Sequence, residues 1–294
     1  MELDDSKLVL SPLADPVASA ILADVNVAGL ALESLIRAVL EEAQHKFAGK
    51  IVSVTPQYTH SGIRNRGCRV DVEVKTDANE YAIFELQITP DVHIMLRDLF
   101  AASHIFTRSA KKGDSSALMA SKMPTVISIN ILCYNVREDN TDIVQPFEIL
   151  YTKEPIKVAI PNFSGYNVQL PRILDMKQDF TNALYCWCYT LYTAHTKSMT
   201  IQEVLEMTPA LQEYAEYDAG YKQFCDQYNL VASSPQAIQE YYLWYKDRMR
   251  EEGMMLAAIQ QNSEEIARNL KQENVPYAVI SKTTGLSVNE IENL

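Results

Sequence analysis

The sequence predicts an α/β (α+β) fold: a mixed sheet in helix-strand-strand-strand-helix-strand order, flanked by helices, with a helical C-terminal region. Three observations predict it. Residues 68–88, CRVDVEVKTDANEYAIFELQI, are two alternating segments around a polar turn. Residues 124–136, PTVISINILCYNV, form a long apolar run rich in β-branched residues, which suits a strand buried on both faces. Residues 30–47 carry apolar positions at helical spacing, Leu32, Leu35, Ile36, Val39, Leu40, Ala43 and Phe47, and so predict an amphipathic helix.

The elements follow in order. Gly49 is expected to end that first helix. Residues 51–58, IVSVTPQY, read as a strand weakened by Pro56, and a polar loop with Arg64 and Arg66 leads into the hairpin. Pro90 and Asp91 open a helix through about Ser109, and Lys111-Lys112-Gly113-Asp114 closes it. Residues 147–160 alternate, and either extend the sheet or form a separate ribbon. From about residue 173 the chain becomes helical and aromatic, and aromatics at that spacing pack more often than they stack on bases. Residues 254–273 read as one helix. Pro276 opens a second, Gly285 caps it, and Ser287 to Glu290 has the form of a capping box for a third. Three parts result: a core over 1–172, a helical aromatic-rich region packing on it over 173–250, and a helical tail over 251–294 that resembles a helix-turn-helix.

The hairpin carries the chemistry. Thr76 to Glu80 is a five-residue connection, so Lys75 faces Tyr81, and counting outward pairs Val74 with Ala82, Val72 with Phe84, Val70 with Leu86 and Cys68 with Ile88. Every pair on that face is apolar, and a one-residue slip would mix the faces. On the other face Asp71 then lies opposite Glu85 and Arg69 opposite Gln87. Two carboxylates that close repel unless a cation sits between them or one is protonated. Acidic residues on a strand more often mark a wet face than a metal site, and spacing alone does not overturn that.

Bulk properties exclude several classes. A net charge of −12 argues against broad nonspecific nucleic-acid affinity, though it leaves room for a local basic patch. The N-terminal segment lacks the pattern of a signal peptide, and residues 16–40 contain Asp24, Asn26, Glu33 and Arg37, too polar for a membrane span. The five cysteines, with no Cys-x-x-Cys pair, read as reduced, mostly buried thiols of a cytoplasmic protein. The histidines form no close ligand pair, and neither a nucleophile elbow nor a phosphate-binding glycine loop appears. The tail from 246 to 294 has 6 basic and 8 acidic residues, which favours an oligomer or partner contact over a DNA reader.

Together these segments resemble the PD-(D/E)XK nuclease superfamily, specifically a bacterial family of recombination-promoting nucleases and transposase-like proteins. Asp71 in RVDVEV matches its strand aspartate, and Glu85-Leu86-Gln87 its E-x-Q version of the E-x-K motif. Arg97 in the following helix, Gly113 before MPTVISINIL, and the ending TTGLSVNEIENL match further segments. Two positions depart: Asp15 lacks the Phe-Lys pair that usually follows, and Phe100 and Ala101 replace paired tyrosines. The resemblance implies a restriction-endonuclease-like core and a divalent-metal-dependent DNA endonuclease using Mg2+ or Mn2+. It implies Asp71, Glu85 and the Leu86 carbonyl as metal ligands, and Asp71, Glu85, Gln87 and Arg97 as catalytic residues. DNA is the expected partner, with Arg64, Arg66, Lys111 and Lys112 as candidate contacts. Glu33 and Asp15 are candidate additional ligands, Asp15 more readily a helix cap. No membrane is expected, and self-association through the C-terminal helices is. The alternative is a catalytically degenerate relative that keeps the fold as a binding or assembly module.

Overall fold

The computed structural model describes residues 8–22, 25–45, 49–60, 68–137 and 139–294. The chain forms two compact units, Met1–Tyr241 and Tyr242–Leu294. Arg64 and Arg66, and the side chain of Arg69, lie outside what is described.

The first unit opens with α1 (Asp15–Ile21) and α2 (Val25–Glu42), followed by β1 (Ile51–His60), β2 (Cys68–Thr76) and β3 (Glu80–Gln87). Helices α3 (Ile94–Ser109) and α4 (Ser116–Lys122) lead to β4 (Thr125–Leu132). Then come β5 (Val144–Phe147), β6 (Leu150–Tyr151), β7 (Glu154–Val158) and β8 (Phe163–Gln169). Helices α5 (Ala183–Thr196), α6 (Ile201–Met207), α7 (Pro209–Tyr217) and α8 (Ala219–Ala232) follow. The six-stranded sheet runs β1-β2-β3-β4-β8-β5, while β6 and β7 form a separate ribbon. Its first three strands are antiparallel, β3, β4 and β8 are parallel, and β5 returns antiparallel on the edge. This is the expected mixed sheet, with α1, α4, β5 and β8 added to the expected elements, and most of 147–160 forms the separate ribbon that was one of its two expected alternatives.

The hairpin register is the expected one where the strands pair, Lys75 with Tyr81, Val74 with Ala82 and Val72 with Phe84, but the ladder ends there, short of the expected Val70–Leu86 and Cys68–Ile88 pairs. Asn79, at φ 59°, makes the tight turn. Pro56 is tolerated because β1 is an edge strand. The first helix begins and ends earlier than its stripe suggests. It stops at Glu42, and Gln44 turns left-handed at φ 55°. Gly49 is instead needed for close approach, since a Cβ there would collide with the Thr76 side chain. Helix α3 starts at Ile94, not at Pro90, and Asp91 accepts the His93 N–H ahead of its first turn.

Two cores result from strand alternation. On one face Phe84, Leu86 and Ile131 meet Leu32, Leu35, Trp187 and Phe224 from α2, α5 and α8. On the other face Ile83, Val126 and Phe163 meet Ala101, Ala102 and Ile105 of α3. The aromatic region packs in part, and Tyr217 is exposed. Trp187, Tyr221 and Tyr228 are fully buried, and the Trp187 and Tyr221 rings meet edge to face at 5.2 Å.

In the second unit the helix expected over 254–273 is the last part of α9 (Pro235–Gln272), followed by α10 (Tyr277–Thr284) and α11 (Val288–Asn293). Gly285 caps α10 at φ 76°, and Ser287 with Glu290 forms the expected capping box. Ala267, Ile280, Leu286 and Ile291 close a small core. Among the described residues no single helix is long and apolar enough to cross a membrane.

Candidate functional site

The site forms where the β2–β3 ladder stops. Beyond Val72 and Phe84 the Asp71 side chain replaces a backbone partner, and its Oδ2 accepts the Leu86 N–H at 2.7 Å. A strand residue aims its N–H and C=O at the same neighbouring strand. The Leu86 carbonyl therefore faces the β2 side, as Asp71 does. Glu85 and Gln87 alternate with Leu86 and lie on the α3 face.

Glu85 is 1 % exposed. Its Oε2 accepts from Arg97 Nη2 at 2.8 Å and from Gln87 Nε2 at 3.4 Å. Burial first, and the Asp71 charge second, push its carboxyl well above the ordinary range, while Arg97 pulls it back. Arg97 also donates to Asp91 Oδ2 at 3.2 Å and so bridges Glu85 and Asp91. Four sequence-predicted residues, Asp71, Glu85, Gln87 and Arg97, thus converge with the Leu86 backbone.

The remaining candidates lie elsewhere. Lys111 and Lys112 are exposed beyond the far end of α3, about 20 Å of helix from Arg97. Glu33 pairs with Arg37 at 2.6 Å on α2, which packs on the opposite face of the sheet. Asp15 sits in the first turn of α1 without capping it, because Ala14 occupies the cap.

A buried polar row extends the site across the sheet, and sequence reading missed it. Glu85 pairs with Asn130 on β4, and Asn130 with Asn167 on β8. Asn130 Nδ2 donates to Asp98 Oδ2 at 2.7 Å and to Asn167 Oδ1 at 2.9 Å. Asp98, Asn130 and Asn167 are at most 1 % exposed. Burial raises the Asp98 carboxyl to about 6 despite the bond from Asn130. Glu73, also buried on this face, is held by Arg108 at 2.7 Å. The one sequence signal for the row was an asparagine inside each of two apolar strands.

The donor set fits a hard divalent ion. Among the described residues no three His, Cys, Asp or Glu side chains are grouped to hold a metal. What the site offers is two mutually repelling carboxylates with a backbone carbonyl on the same edge. Magnesium is commonly held by one or two carboxylates and keeps several waters.

A family model described as PD-(D/E)XK nuclease family transposase matches residues 29–242. No curated protein and no solved structure matches the chain.

Proposed function

Because the chain belongs to the PD-(D/E)XK nuclease family transposases, we propose that it is a divalent-metal-dependent DNA endonuclease acting in recombination or transposition. The observation that carries this reading is the Asp71–Glu85 pair, brought together at the broken ladder with Leu86 between them. Nucleases of this superfamily usually use divalent metals, and we assign Mg2+ or Mn2+ to Asp71, Glu85 and the Leu86 carbonyl.

When bound, the ion supplies Lewis-acid polarisation of the phosphate and a more acidic water. The protein's own groups do the rest. Gln87 bonds to Glu85 and has an amide that both donates and accepts, so it orients the attacking water but cannot balance negative charge. Arg97 supplies that charge from α3. Arg97 pairs with Glu85, and with a metal held there part of its guanidinium would be left for the phosphate.

Burial holds the described Cys133, Cys186, Cys188 and Cys225 as free thiols, which suits a cytoplasmic setting. Met249, Leu256, Ile259 and Ile266 are exposed on α9 at spacings of three and seven residues, which supports self-association through this helix. Plasmid nicking with magnesium or manganese tests the main reading. Cutting that survives both Asp71→Ala and Glu85→Ala defeats the site. No cutting and no metal binding by calorimetry favours a binding module, for which the uncharged Gln87 is the supporting observation.

A further inference from the structure

A cleft of about 570 Å3 adjoins the site at the C-terminal ends of β4 and β8. Open sheets bind ligands at such strand ends. The cleft shares a wall with the carboxylate pair: Asp91 lines it, and Arg97 joins Asp91 to Glu85. Cys133, just before its Tyr134–Arg137 wall, donates its N–H to the Gln87 carbonyl.

The lining selects a neutral, flat group with polar edges. Met95, Pro146 and Phe147 supply apolar surface, and Asn135, Gln145 and Asn167 supply amides. The Asn135 Oδ1 is buried without a hydrogen-bond partner. A buried acceptor left so keeps its desolvation penalty, which a donating ligand would relieve. The Asp91 carboxylate disfavours a phosphate inside the cleft. Arg137, the one cation among the described lining residues, pairs with Asp139 in solvent. Side-chain amides match the donor and acceptor edges of bases, and adenine above all.

We propose that this cleft takes an unpaired nucleobase of the DNA strand being cut, with the adjoining phosphate on the Glu85–Arg97 side. The inference rests on the nuclease reading. An unpaired base is favoured because extruding a paired one breaks its pairing and stacking.

The test is fluorescence anisotropy with the full chain in EDTA, using two labelled duplexes of one sequence, one fully paired and one with a single extrahelical adenine. The wild type is expected to bind the bulged duplex about tenfold more tightly. Asn135→Leu and Met95→Trp, the second at a position 44 % exposed and so tolerant of change, are expected to lose that preference and bind the paired duplex as before. Equal wild-type binding of both duplexes, or an unchanged preference in both variants, overturns the proposal. Because nothing is cut in EDTA, the two readings fail separately. A cleft-dependent preference in a protein that never nicks supports the cleft and defeats the nuclease. Asp71-dependent nicking without the preference defeats the cleft alone.

Discussion

On one face of the sheet Phe84, Leu86 and Ile131 meet Leu32, Trp187 and Phe224. One residue along the same strands, on the other face, Glu85 and Asn130 meet Arg97 and Asp98 of α3. Both sets are buried, yet one is apolar and the other is charged or amidic. Buried polar groups lose their hydration and recover it only through partners. Here the recovery is incomplete: Asp98 Oδ1, Ser128 Oγ and Asn130 Oδ1 have no partner. The apolar set adds stability that the polar row gives up, and the proposed site lies on that row.

The largest expected effect is on the apolar face. Phe84→Ala should cost about 3–5 kcal/mol in denaturant unfolding. Its nicking per folded molecule should stay near wild type, and loss of nicking without unfolding would break the comparison. Next come Asp71→Ala and Glu85→Ala, each expected to lower nicking at least about a hundredfold, since the metal contributes several kcal/mol to the transition state. Melting should move little for Glu85→Ala, because burial disfavours its charge.

Arg97→Ala should lower nicking by about ten- to a hundredfold, as groups that position a metal site typically do. Lysine at the same position should restore little, since one ammonium cannot bridge both Glu85 and Asp91 as the guanidinium fork does.

The last prediction concerns pH. The folded chain holds the Asp98 proton up to about 6, against 3.8 for a free carboxyl. Between those values the folded state binds more protons than the unfolded one, so this group makes stability fall as pH rises. Asp98→Asn should therefore gain on the wild type from about pH 4 to about pH 6 and run parallel above. Parallel unfolding curves throughout would show that Asp98 is not so held.

The face carrying the carboxylates was legible because the hairpin turn has a fixed length and one side of the pairing is wholly apolar. The register from Lys75 to Val72 follows from those facts alone. Arg97 came from the resemblance, since nothing in a helical stripe says that one arginine reaches a buried glutamate. The polar row was hidden. Asn130 and Asn167 interrupt apolar strands, Gly165 interrupts the second further, and β8 therefore carries no clean alternation although all its residues are buried. Gly165 is required because a Cβ would run into the Phe147 ring from β5. The helix end at Glu42 goes with the left-handed Gln44, and the start at Ile94 with Asp91 accepting the His93 N–H, neither of which an apolar stripe records.

Calorimetric titration of Mn2+ tests the central claim most directly. The wild type is expected to bind the ion at a single site, Phe84→Leu on the apolar face to bind it as well, and Asp71→Ala and Glu85→Ala to lose it. Undiminished binding in both carboxylate variants would contradict the claim that the polar face is the metal site.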